Sequence, residues 1–139
     1  MGFLIDTNVI SELRKGPRAD AGVRAWVASQ PTNALFLSVL TLGEIVRGVE
    51  RLRLRDVPAA DALDRWQQRL MQEFADRILL IDRGIAARWG TLDAVSPLPS
   101  VDGLLAATAL EHGLVVATRN TRDFERTGLA MLNPWSAAP

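Results

Sequence analysis

An α/β fold, a three-layer sandwich around a central, mostly parallel sheet of about five short strands, is predicted by three features of this 139-residue sequence. Short apolar runs with no helical period alternate with longer stretches whose apolar residues recur at spacings of three and four. Gly and Pro breakers fall between the two kinds of segment. Strands separated in this way by helices pair in parallel and are covered on both faces.

Phe3-Leu4-Ile5 reads as a buried strand running straight into Asp6. A first helix follows from about Thr7 to Arg14 and stops at Gly16-Pro17. The second helix fits Ala19 to Ser29, with Val23, Trp26 and Val27 on one stripe, and Pro31 to Asn33 is the turn after it. Leu35 to Ser38 is the second strand. Thr41 then opens a third helix that carries Leu42, Ile45, Val46 and Val49 together. Pro58 starts a fourth helix, in which Leu63, Trp66, Leu70, Met71 and Phe74 recur at helical spacing to about Ala75. The third strand is Ile78 to Ile81 and the fifth helix runs from Arg83 to about Leu92. Ser96-Pro97-Leu98-Pro99 cannot continue that helix, because proline lacks the amide donor. An Ala- and Leu-rich sixth helix spans Val101 to Glu111 and ends near Gly113. Leu114 to Thr118 is the fourth strand, Arg119 to Glu125 a loop or single turn, Ala130 to Leu132 a short last strand, and Ser136 to Pro139 a loose tail.

Residues 1–139 are expected to form one domain, a length that buries about two-thirds of the unfolded surface. With 48% apolar and 23% charged residues the chain is globular, and 16 basic against 16 acidic residues leave no overall field to attract nucleic acid. Cysteine is absent, which removes disulfides, thiolate metal sites and thiol nucleophiles together. No apolar run approaches the roughly 20 residues of a membrane span, and Met1 to Asp6 carry no basic leader, so a soluble, cytoplasmic protein is expected.

Four acids, Asp6, Glu44, Asp102 and Asp123, fall where strand passes to helix or loop. Each also has a purely structural reading. Asp6 is a good helix N-cap. Glu44 completes a capping box in Thr41-Leu42-Gly43-Glu44. Asp102 complements the dipole of its helix, worth roughly 0.3 to 1 kcal/mol. Asp123 suits an Asx turn. What those readings leave unexplained is that all four fall at one edge of one small sheet, the edge where α/β sheets bind ligands. Clustered carboxylates repel one another unless a cation neutralises them, and hard oxygen donors select Mg²⁺ or Mn²⁺.

Such an ion would polarise a phosphoryl oxygen and acidify water, so hydrolysis needs no histidine base. The single histidine, His112, is read as a polar residue ending the sixth helix. There is no Walker loop, and no Ser-His-Asp set can be assembled around one peripheral imidazole. Two arginine groups could meet phosphates: Arg47, Arg51, Arg53 and Arg55, or a solvated helix face with Glu50 and Asp56 between them; and Arg119, Arg122 and Arg126, which adjoin Asp123. Trp26, Trp66, Trp89 and Trp135 are read as core or interface residues.

Leu4-Ile5-Asp6-Thr7-Asn8, the Glu44 helix, Val101-Asp102 before the Ala-rich helix, and Thr118-Arg119-Asn120 through Asp123-Phe124 together resemble the PIN-domain ribonucleases. The likeness is to their VapC-type toxins, including the FitB-like branch, whose ending Asn133-Pro134-Trp135 also matches. The resemblance implies a metal-dependent endoribonuclease with Asp6, Glu44, Asp102 and Asp123 as ligands and catalytic acids. Thr7, Asn8, Thr118 and Asn120 would be their supporting polar shell, and Arg119 and Arg122 possible RNA phosphate contacts. Some relatives carry a further acid near Asn120, so one or two ions are compatible with the pattern. A homodimer is implied, together with a VapB-like antitoxin that occupies the groove and binds operator DNA. Leu52, Leu54 and Val57 would offer that antitoxin an apolar surface, or else pack internally.

Haloacid-dehalogenase-like phosphatases need a second Asp two residues after the first, and here that residue is Asn8. Receiver modules need adjacent acids near the first strand and a late lysine; the only lysine is Lys15. A PIN-like module that binds metal or RNA without cleaving it is the remaining alternative.

Overall fold

The computed structural model describes residues 1–135; the expected loose tail at Ser136–Pro139 lies outside the described residues. Five strands, β1 (Phe3–Ile5), β2 (Leu35–Ser38), β3 (Ile78–Leu79), β4 (Val115–Ala117) and β5 (Met131–Leu132), form a sheet of order β3-β2-β1-β4-β5. Every pairing is parallel, with Leu4 opposite Phe36 on one side and Val116 on the other. Chain direction reverses its progress across the sheet at β1, which leaves a crevice beyond the carboxyl ends of β1 and β4.

Successive side chains of a strand point to opposite faces, so β1 feeds both halves of the core. Ile5 packs with Val9, Ile10, Val23, Leu37 and Ile45, beneath α1 (Thr7–Leu13), α2 (Ala21–Ser29), α3 (Val39–Arg53) and α4 (Val57–Glu73). Leu4 packs on the other face with Leu105, Ala106 and Ala109 of α6 (Ser100–His112) and Phe124 of α7 (Thr121–Phe124). α5 (Arg83–Val95) lies against α6. The three-layer sandwich is therefore as expected. An apolar groove of about 510 Å³ opens between α1, α2 and α4, lined by Ile10, Leu13, Val27, Trp66, Leu70 and Phe74.

Element ends moved where local capping overrode the apolar pattern. α3 starts at Val39 rather than Thr41, because the buried Ser38 caps it: its hydroxyl accepts from the Leu40 N–H at 3.0 Å. Thr41 then lies within the first turn, fully buried, and the expected capping box with Glu44 does not form. α2 and α4 likewise begin after capping aspartates, Asp20 and Asp56, whose carboxylates accept from Val23 and Ala59. The third strand is limited to Ile78–Leu79, and Leu80 beyond it is 68% exposed. α5 continues to Val95, one turn further than expected and up to the prolines. α6 ends as expected at Gly113, whose left-handed backbone (φ 64°) disfavours any residue with a Cβ.

Candidate active site

Parallel topology brings the helix N-termini to the carboxyl edge of the sheet, and with them the predicted residues. Asp6 follows β1, at the crevice. Its N–H donates to the Ala117 carbonyl at 2.9 Å, which continues the ladder one residue past the strand. Its carboxylate is buried and hydrogen-bonded at both oxygens: Oδ1 accepts from the Thr7 N–H at 2.7 Å, and Oδ2 accepts from the Thr118 hydroxyl at 2.8 Å and the Asn8 amide at 3.3 Å. Asp6 is thus the N-cap of α1 as well as a member of the site, so the two readings of this residue coexist.

Around it the supporting groups form a connected network. Asn8 Nδ2 also donates to Thr118 Oγ1 at 3.2 Å, and Asn8 Oδ1 accepts from the Arg119 N–H at 3.2 Å. Asn120 enters through its backbone, whose N–H donates to Thr118 Oγ1 at 3.0 Å. On the β2 side, the Thr7 hydroxyl donates to Glu44 Oε1 at 2.6 Å and stands 3.4 Å from the Thr41 hydroxyl. Thr7 therefore ties the Glu44 helix to the Asp6 strand. Arg47, one turn on, leans toward Glu44 at 3.9 Å.

Asp102 sits in the first turn of α6, half-buried and with no hydrogen bond among the described residues. Helix backbone alone positions it. That helix start has no side-chain cap, since Pro99 precedes it, and it is braced by Trp89 of α5 lying against Gly103. A Cβ on Gly103 would meet the indole Cδ1 and Nε1 at 2.9 Å, and Nε1 is buried without a partner among the described residues. Asp123 and Arg122 are exposed on α7.

Electrostatics show that the four acids share one neighbourhood. Burial is the chief reason that Asp6 is held above the ordinary Asp value of 3.8; bonds from Thr118 and Thr7 oppose it, and the charges of Glu44 and Asp123 add to it. Asp102 is raised mainly by burial, then by Asp6, Glu44 and Asp123. The carboxylates sense one another without closing up, for among the described residues no three acids or imidazoles stand in a ready-made metal cluster. Backbone topology supplies the grouping. All the donors are carboxylate, amide or hydroxyl oxygens, a set that fits a hard divalent cation and no soft one.

Of the remaining arginines, Arg53 is taken by Glu50 and Asp61, whereas Arg119 lies over the Trp135 ring, 5.0 Å from its centroid. The isolated meaning of Trp135 was not legible from its position, because a tryptophan after a last strand ordinarily signals only packing.

A parallel sheet of this order with acids from the β1–α1 junction, α3, α6 and α7 at its carboxyl edge defines a protein class: the chain belongs to the PIN domain family, whose model matches residues 3–129. Within that class it is similar to VapC ribonuclease Y4jK of Sinorhizobium fredii, at 38% identity over 98% of this chain and 99% of the relative. It is also 36% identical to toxin FitB of Neisseria gonorrhoeae, over 96% of this chain and 98% of that protein. The crystal structure of FitAcB from Neisseria gonorrhoeae superposes with a TM-score of 0.86 at 35% identity, over 96% of this chain and 98% of that one.

Proposed function

We propose that this protein is a VapC-like toxin of a toxin-antitoxin system, an endoribonuclease that hydrolyses RNA phosphodiester bonds with Mg²⁺ or Mn²⁺. The observation that carries the reading is the joint placement of Asp6, Glu44, Asp102 and Asp123 at the sheet edge, where the charges of Glu44 and Asp123 add to the burial that holds the Asp6 and Asp102 carboxyls above the ordinary value. Its biological half rests on the similarity to a VapC ribonuclease and a toxin over nearly the whole chain.

When bound, a divalent ion supplies Lewis acidity, which acidifies water and offsets charge on the phosphoryl oxygens. Asp6 and Asp102 are its main ligands in this reading, with Glu44 and Asp123 completing the acidic ring for one ion or two. Thr7, Asn8 and Thr118 orient Asp6 and Glu44 through the bonds described, and the Asn120 backbone anchors Thr118. Arg119 and Arg122 meet RNA phosphates. Products carry 5′-phosphate and 3′-hydroxyl ends.

The chain acts as one domain, in the cytoplasm; among the described residues no helix is long and apolar enough to cross a membrane. Its partners are a second copy of itself and a VapB-like antitoxin, through which alone it reaches operator DNA. Leu54 and Val57, 89% and 52% exposed at the α3–α4 turn, remain available to the antitoxin, while Leu52 is half-buried.

Purified protein free of antitoxin should cut structured RNA with Mg²⁺ or Mn²⁺, and Asp6→Asn and Asp102→Asn should each abolish cutting with the fold intact. No cleavage by the wild type with either ion would refute the enzyme assignment. Undiminished cleavage by Asp6→Asn would refute the site instead.

A further inference from the structure

We infer that the Trp135 indole is a seat that holds the Arg119 guanidinium as a pre-set clamp for a backbone phosphate of RNA, an inference that rests on the ribonuclease reading above. A site ringed by carboxylates repels a polyanion, so substrate needs a fixed cation close to the acids. Arg119 is next in sequence to Thr118, whose hydroxyl donates to Asp6, and its own N–H is hooked to Asn8 Oδ1. Its side chain is exposed and enters no ion pair among the described residues, whereas Arg53 and Arg88 are neutralised by acids.

What distinguishes Arg119 is the ring beneath it. Its guanidinium carbon lies 5.0 Å from the Trp135 centroid, within the range of a cation–π contact. Trp135 is itself tied down: its side chain packs against the core cluster that holds Ile5, Val9, Ile10 and Val23, its backbone N–H donates to Asn133 Oδ1 at 3.0 Å, and Pro134 before it is buried. A guanidinium laid on an indole face keeps its in-plane N–H edge free, the edge that grips two phosphate oxygens at once. Holding the side chain there before substrate arrives removes part of the rotamer entropy that binding would otherwise cost. Contact to a phosphate carries no base information, so the clamp binds RNA irrespective of sequence. Arg122, exposed on α7, has no aromatic seat among the described residues, so it meets phosphate without being held in place beforehand.

The test is RNA affinity measured without turnover. Fluorescence anisotropy of a short labelled single-stranded RNA, with Ca²⁺ replacing Mg²⁺ and RNA integrity checked by gel, is followed against salt. Arg119→Ala should weaken binding about tenfold and make the slope of log affinity against log salt shallower by about 0.7, one phosphate contact. Arg119→Lys and Trp135→Leu keep the charge, so the slope stays while affinity falls several-fold. Trp135→Leu added to Arg119→Ala should cost nothing further. An unchanged slope in Arg119→Ala, or a Trp135→Leu loss equally large with and without Arg119, overturns the proposal. Arg119 is exposed, so its variants remain informative even if a Trp135 variant fails to fold. Wild-type protein that binds RNA with these slopes yet cuts nothing in Mg²⁺ or Mn²⁺ counts against the enzyme reading alone.

Discussion

Asp6 combines two roles that compete in free energy. As the α1 cap, its bonds from Thr118 and Thr7 favour the ionised form, yet burial and the neighbouring acids favour the neutral one. Asp102 shares the upward pressure, with no hydrogen bond among the described residues to oppose it. Between the ordinary value of 3.8 and the raised values, the folded protein binds protons that the unfolded chain does not. These groups therefore make the metal-free protein more stable as pH falls through that window, and the gain is complete below 3.8. Thermal melts in EDTA from about pH 7 to about pH 4, compared with an Asp6→Asn/Asp102→Asn double variant, should show the wild type gaining relative to the variant on acidification. Parallel curves would mean that the two carboxylates are unstrained.

At the scale of elements, two helix starts decide where the proposed ligands stand. α3 begins on Ser38, and that places Glu44 in its second turn, free to accept from Thr7. Ser38→Ala should therefore cost about 0.5 to 2 kcal/mol of stability in urea denaturation. Glu44→Gln, which keeps an acceptor for Thr7, should hardly move the urea midpoint while weakening Mn²⁺ binding; the reverse pattern would restore the capping box. At α6 the Trp89–Gly103 contact braces the turn that carries Asp102. Gly103→Ala drives a methyl into the indole and should cost about 1 to 3 kcal/mol, with weaker Mn²⁺ binding as a second readout. A variant as stable as wild type would show that the α5–α6 packing yields easily.

For the whole molecule, a cation shared by acids from four elements, as proposed, would link binding to global stability. Mg²⁺ or Mn²⁺ at about 100 times its dissociation constant should add about 2.7 kcal/mol, read as a rise in melting temperature that Asp102→Asn loses. The alternation of apolar runs, helical stripes and breakers was enough to determine a parallel five-stranded α/β sandwich, because period and punctuation are local properties of the chain. The same applies to Asp6, which directly follows a strand of a parallel sheet and so must lie at its carboxyl edge; Glu44, Asp102 and Asp123 stand on helices, and their position depends on where those helices begin. Helix starts were less legible, since Ser38 and Thr41 are both capping residues and only the bond to the Leu40 N–H selects between them. The tertiary structure alone decided that Thr7 bridges Asp6 to Glu44, that Trp89 lies against Gly103 beside Asp102, and that Arg119 rests on Trp135. Each of these joins residues far apart in sequence, and such contacts follow from how helices settle on the sheet rather than from the periodicity of any one segment.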